Sequence, residues 1–293
     1  MKLFDLHCDT ANKMYKAGVG LDSQELQVNY NALKRYDKVR QVFAVWTPSK
    51  LSEDDGYRRA LSVIEHFDSV FDNNSNIEPI YGIEDSRILA GDISRLDELY
   101  RRGVRVLTLT WAGESCIGGS HDTHAPLTDF GRRVVYRALE MGIAVDVSHA
   151  SREVTREVSE IACEKGLPFI ASHSNACSVT PHTRNLTDEE FGRIVACGGI
   201  VGVSFYPYHL SGKEDASTDD VITHIEHYLS LGGENTVCIG SDFDGIEVSP
   251  TDLQNAADTE LLFERLLARG FSERTVEAIA FGNAERFFDK LKK

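Results

Sequence analysis

Eight short runs dominated by Val, Ile, Leu and Phe recur along the chain, at residues 2–9, 39–46, 78–84, 104–111, 142–149, 167–173, 198–206 and 236–242. Runs this brief and this evenly apolar suit strands buried on both faces. Between them, residues 57–73, 94–102, 128–142, 152–166, 187–199 and 219–233 carry helical periodicity with charged outer faces. Several open on Ser, Thr or Asp and close on Gly, as capping and left-handed termination require. Strand and helix alternate throughout, so the sheet is expected to be parallel and covered by helices. Eight such units predict an α/β fold of closed (β/α)8 TIM barrel type rather than an open doubly wound sheet. No Pro-rich linker, low-complexity tract or charge block interrupts the pattern. One domain over residues 1–293 is therefore expected, ending in a C-terminal helical extension, ERTVEAIAFGNAERFFDKLKK.

The polar residues fall in a telling place. Five of the eight runs end in a side chain able to bind a metal or carry a proton: His7 and Asp9, Glu84, His149, His173 and Asp242. In a barrel these ends converge on one mouth, where active sites of this fold lie. Each alone has a plain structural explanation as a hydrogen-bonded histidine, a cap or a turn residue, and Asp244 in GSDFDG is read as a turn residue too. Together, three imidazoles and three carboxylates are costly to desolvate unless they share a cation or form pairs. Imidazole and carboxylate without thiolate suit zinc, manganese or iron at a catalytic site. Six groups are enough for two divalent ions, with Glu84 between them, His7 and Asp9 on one, and His149 and His173 on the other. A hydroxide held between such ions is a nucleophile at neutral pH. Strand alternation puts Asp5 on the side of His7 and Asp9, where it is expected to orient a ligand from behind, and turns Cys8 away into packing.

Composition narrows the partners. Thirty-one Lys and Arg against 46 Asp and Glu give a net charge of −15, which argues against nucleic acid or an anionic membrane. Neither a leader-like start nor an apolar run long enough to span a bilayer is present, so the expected compartment is the cytoplasm. Cys8, Cys116, Cys163, Cys177, Cys197 and Cys238 form no CxxC pair and read as buried free thiols.

The stretches FDLHCD, GIED, VRVLTLTW, LTDFGRRVVYRALEMGIAVDVSHAS, FIASHSNACSVTPHTRNLTD, GGIVGVSFYP, GSDFDG and FGNAERFF follow one another almost end to end. In that order the chain resembles the renal or membrane dipeptidase family, metal-dependent dipeptidases related to the amidohydrolase barrels. The most specific part is DVSHAS followed by ASHSNA and RNLTD. The resemblance implies a binuclear zinc site held by His7, Asp9, bridging Glu84, His149 and His173. It also implies Arg184 as the receiver of the dipeptide carboxylate and Asp242 as the acid that moves the proton during attack by the metal-bridging hydroxide. The implied substrates are small dipeptides, including those with a C-terminal D-residue, and the implied assembly is a homodimer. Arg184 has its own logic, because a planar guanidinium takes a carboxylate in bidentate fashion.

One position departs from the pattern. Where the best-known members carry a substrate-contacting His after LTLT, this chain has Trp111, and His121 and His124 in the following loop are the candidate substitutes. Two rival readings are a related barrel hydrolase acting on a cyclic amide, lactone or phosphoester, and a non-catalytic binding barrel. The first commonly begins with HxH and uses a carbamylated Lys on strand four, where this chain has His7-x-Asp9 and Thr110-Trp111.

Overall fold

Lys2–Cys8 (β1), Lys38–Trp46 (β2), Ile77–Glu84 (β3), Val104–Thr108 (β4), Ala144–Asp146 (β5), Ile170–Ala171 (β6), Ile200–Val203 (β7) and Val237–Ile239 (β8) pair in parallel, each with the next. β8 returns to β1 through Asp5 and Ile239, which closes the barrel and excludes the open sheet. The computed structural model describes residues 1–291; Lys292 and Lys293, the end of the expected C-terminal extension, lie outside the described residues. No helix among the described residues is long and apolar enough to cross a membrane.

The anticipated helices form at Glu53–Val70, Ser94–Arg101, Asp129–Glu140, Arg152–Lys165, Asp188–Ala196 and Thr218–Ser230. Side chains of Ser52, Thr128, Ser151 and Thr187 accept backbone N–H groups three residues on, which fixes four of the six starts. Thr10–Ala17 and Thr259–Ala268 are further helices that the sequence reading did not anticipate. In the first, only Thr10, Ala11 and Met14 are buried, too few apolar positions to show a period.

The barrel interior is filled by alternate strand residues, among them Phe4, Leu6, Val42, Ile80, Val106 and Ile170. The C-terminal segment closes its lower end. After Glu273–Glu277 the chain passes through a π-turn at Ala278–Gly282 into Asn283–Leu291, and Phe281, Phe287 and Phe288 pack onto the interior residues. Lys38, at the start of β2, reaches Glu285 at 3.2 Å, which places this plug under the strand N-termini. Each of the three rings is at most 5% exposed, and burying each stabilises the fold by roughly 2–3 kcal/mol.

Two features depart from the sequence reading. Pairing of β1 with β2 shifts register between Asp5 and Cys8, so strict alternation fails there. Phe4 and Leu6 point inward and Leu3 and Cys8 pack outward, so Asp5 does not share the face of His7, as alternation had suggested. β4 to β8 also stop short of the predicted ends, which leaves His149, His173 and Asp242 two or three residues past the strand ends, although the Asp242 N–H still reaches His7 O at 3.0 Å. Side-chain carboxylates take over there as acceptors: Asp146 Oδ1 receives the N–H of Ser148 and Ser172 at 2.9 and 2.8 Å, and Asp5 Oδ1 receives that of Ser241 at 2.9 Å.

Candidate metal centre

Glu84, the last residue of β3, stands between two sets of imidazoles. Its Oε1 is 3.1 Å from His149 Nε2 and 3.7 Å from His173 Nε2, while its Oε2 is 3.6 Å from His7 Nε2. His7 Nε2 is also 3.4 Å from Asp9 Oδ2 and 3.8 Å from Asp242 Oδ1. The fold thus gathers all six groups marked by the strand ends. Three sets, His7–Asp9–Glu84, Glu84–His149–His173 and His7–His173–Asp242, each have ligand atoms within 4.8 Å of one another. No side chain of the six is more than 16% exposed, so the cluster is largely out of water.

Local backbone geometry aims them. The β1 register shift turns His7 toward the mouth, and Glu84 follows the inward parity of Ile80. His149 and Asp242 have φ of 68° and 66°, the left-handed region that residues with a Cβ enter only when their surroundings compensate. Gly245 makes room beside them: a Cβ there would lie 2.2 Å from Asp9 Oδ2 and 2.9 Å from Asp242 Oδ1.

The cluster fits cations. His173 Nδ1 lies 2.7 Å from Ser172 Oγ, whose own hydrogen goes to Asp146 Oδ2 at 2.6 Å. Nδ1 therefore carries the proton and Nε2 presents a lone pair toward Glu84 and toward His149 Nε2, 3.0 Å away. The His173 lone pair and the Glu84 carboxylate oxygen 3.7 Å away repel unless a proton or cation stands between them, and His149 Nδ1 is buried without a partner to fix its own tautomer. Burial, followed by the positive charge of Arg184 for His149 and of a protonated His7 for His173, holds both imidazoles well below their ordinary pKa, in the neutral form that metals bind. At His7 burial acts in the same direction, but the charges of Glu84 and Asp9 outweigh it and lift the pKa well above the usual range. His7 Nε2 is nonetheless buried without a hydrogen bond. Burial, reinforced by the charge of Asp9, also raises the Glu84 pKa. Carboxylates that resist ionising and an imidazole that keeps its proton both mark a place short of positive charge.

A cavity of about 770 Å³ opens over the cluster, bounded by Asp9, Glu84, His149 and Asp242 below and by Trp46, Trp111, Tyr206 and His209 around it. That volume suits a small molecule. Trp111 lies 6.2 Å from the His149 ring and packs edge-on against Trp46. His121 comes within 5.9 Å of the His149 ring, with Nδ1 3.1 Å from Thr183 Oγ1. His124 does not reach the site; it is 93% exposed and faces Glu153. Arg184 is buried beside His173, with its terminal nitrogens donating to Ser174 Oγ at 2.8 Å and His173 O at 2.9 Å and its Nε unpartnered.

Sequence reasoning missed the residues that support the cluster. Asp146 was hidden in the run GIAVDVSH, where a charged residue between two valines was its only signal. Asn12 Nδ2 donates to Asp9 Oδ1 at 3.1 Å, and Arg59 in turn donates to Asn12 Oδ1 at 3.0 Å. His209, packed between a tilted His182 ring and an edge-on Tyr206 ring, lies in a helical turn that carried no motif.

Known proteins share this arrangement of chain. Among solved structures, a metallopeptidase of Rhodobacter sphaeroides, liganded with a phosphinate mimic of the dipeptide L-Ala-D-Ala, has the same fold with a TM-score of 0.89 at 21% identity, over 99% of both chains. An uncharacterised dipeptidase of Schizosaccharomyces pombe is 32% identical over 78% of this chain and 58% of its own length. Mouse dipeptidase 3 is 28% identical over 90% of this chain and 58% of its own. The chain thus spans little more than half the length of the curated relatives it matches. The profile of the membrane dipeptidase family, peptidase family M19, matches residues 69–293, a stretch that holds Glu84, His149, His173, Arg184 and Asp242, and the chain belongs to that family.

Proposed function

We propose that the chain is a zinc-dependent dipeptidase that binds two ions and cleaves the peptide bond of small dipeptides, including those with a C-terminal D-residue. The observation that carries this reading is Glu84, whose two oxygens face His149 and His173 on one side and His7 on the other. His7, Asp9 and Glu84 would hold one ion, and Glu84, His149 and His173 the second. Bound there, divalent ions polarise the scissile carbonyl and make water nucleophilic at neutral pH. A donor set of imidazole and carboxylate without thiolate suits zinc as it does manganese or iron, and the family resemblance selects zinc among them.

The remaining work falls to the protein. Arg184 receives the substrate carboxylate: it is a buried cation with an unpartnered Nε, and its other nitrogens are already held in place by Ser174 and His173. Asp242 sits at the cavity floor and is pushed up to about 8 by burial, with the negative charges of Asp9 and Glu84 adding to the rise. The cations that the cluster would hold oppose that rise, and the ionised carboxylate takes the proton of the attacking water and returns it to the leaving nitrogen. Trp111 cannot transfer a proton and serves as wall. His121, lowered to about 4 by burial and Arg184, stays neutral and takes the contact with the scissile group.

The test compares chelator-stripped and zinc-reloaded protein on L-Ala-L-Ala, L-Ala-D-Ala, the N-acetylated dipeptide and the C-terminal amide. Metal-dependent turnover of free dipeptides and a large loss with the amide are expected. Turnover that survives chelation, or amides cleaved as fast as free acids, would overturn the reading. Hydrolysis of a lactone or phosphotriester without any dipeptide would replace it by the related barrel hydrolase.

A further inference from the structure

The cavity wall above β1 and β2 carries a charge opposite to that of the chain as a whole. Lys13 and Lys16 on helix Thr10–Ala17, Lys50 after β2 and Arg59 on helix Glu53–Val70 all line it, in a protein of net charge −15. Lys13 is committed to Asp244, 2.9 Å away. Arg59 is held by two neutral oxygens, Asn12 Oδ1 at 3.0 Å and Trp46 O at 2.8 Å, and meets no carboxylate among the described residues. Lys16 and Lys50 have no ion-pair partner among the described residues. The carboxylates lining the cavity do not balance them. Asp9, Glu84 and Asp242 belong to the metal cluster, and Asp244 is taken by Lys13, Thr10 and the backbone of Gln27. Glu247 is the remaining one, and it lies against Tyr206. Three unbalanced cations therefore face the cavity from one sector, and a concave wall of one sign focuses its field on what enters.

The barrel order gives this wall a direction. β1 and β2 lie four strands around from β5 and β6, which carry His149 and His173 and lead to Arg184. A dipeptide whose carboxylate rests on Arg184 and whose carbonyl lies over the cluster turns its amino-terminal residue toward β1 and β2. We propose that this wall is a side-chain subsite for a carboxylate, so that the preferred dipeptides carry Asp or Glu at the amino-terminal position, read by Lys16, Lys50 and Arg59. The proposal rests on the dipeptidase reading above.

The experiment measures kcat/KM of the zinc-loaded protein at low ionic strength for Glu-Ala against Gln-Ala, and for Ala-Glu against Ala-Gln. Glu-Ala is expected to exceed Gln-Ala by about tenfold, mainly through KM, with the advantage shrinking at high salt, since each exposed ion pair contributes modestly. The double variant Lys16→Ala/Lys50→Ala is expected to bring the Glu-Ala to Gln-Ala ratio close to one. Equal or faster turnover of Gln-Ala, or an acidic preference seen only in Ala-Glu over Ala-Gln, overturns the subsite while leaving the dipeptidase reading intact. Turnover of none of the four peptides overturns both.

Discussion

Asp5 on β1 and Asp146 on β5 make the same contacts from opposite sides of the barrel. Asp5 accepts the N–H of His7 at 3.2 Å and, from Ser241, the N–H at 2.9 Å and the hydroxyl at 2.5 Å. Asp146 accepts the N–H of Ser148 at 2.9 Å and, from Ser172, the N–H at 2.8 Å and the hydroxyl at 2.6 Å. In each case the serine immediately precedes a cluster residue, Asp242 or His173. A buried carboxylate thus replaces the missing ladder acceptors where the strands end, and it fixes the backbone from which the cluster side chains project. Asp5 orients main chain, not an imidazole ring.

Asp146→Asn keeps the shape but turns one acceptor into a donor against Ser172 or Ser148. Control of the His173 tautomer weakens with it. Zinc affinity is expected to fall by about 10- to 100-fold, read by competition with a chromogenic chelator, with activity partly restored by excess zinc. Unchanged affinity would show that Ser172 alone orients the ring.

Gly245→Ala places a methyl group 2.2 Å from the present position of Asp9 Oδ2. Asp9 must move away from His7, and kcat/KM is expected to drop by about 100-fold or more without change in far-ultraviolet circular dichroism. Wild-type metal content and activity in this variant would mean that the loop yields instead.

Asp242 titrates in the metal-free protein with a raised pKa, from an ordinary 3.8 to about 8. Between these values the unfolded chain has lost a proton that the folded chain keeps, so stability falls as pH rises, and the contribution is fully lost above about 8. Asp242→Asn lacks this loss. Urea unfolding of both metal-free proteins across that range should show the variant gaining on the wild type with rising pH and then levelling off. A constant difference would show that Asp242 ionises normally.

Cys163 and Cys197 depart from the expectation of scattered buried thiols: their sulfurs are 2.9 Å apart, and Cys163 is exposed. Burial and the neighbouring thiol push Cys197 up to about 12, and Cys163 is the exposed thiol of the pair, the one an oxidant in solution meets first. Treatment with oxidised glutathione should transfer glutathione to Cys163, and Cys197 should then displace it, leaving a protein two hydrogens lighter. Cys197→Ser should stop at the adduct. Closing this loop stabilises by about 3–4 kcal/mol in the chain-entropy model, so the melting temperature should rise by several degrees. An intact mass that shows no such loss would exclude the bond.

The barrel and its six clustered side chains were legible because each depends on a local pattern, an apolar strand run followed by a ligand-type residue, repeated at the spacing of a β/α unit. Arg184 and Trp111 were singled out through resemblance and His121 and His124 by order along the chain; only His121 of the two histidines comes near the cluster, and their loop gave no sign of which one faces inward. Helix Thr10–Ala17 escaped because so little of it is buried.

What the sequence determined by itself was therefore the number of strands and the chemistry delivered to their ends. Only the tertiary structure decided which way those side chains point. The parity of His7 depends on a register shift against β2, the tautomer of His173 on Asp146 of the neighbouring strand, and the left-handed turns at His149 and Asp242 on the packing around them. The first two rest on bonds between neighbouring strands whose partners lie a whole β/α unit apart, and the third on tertiary packing, so no strand-sized window of sequence contains what decides them.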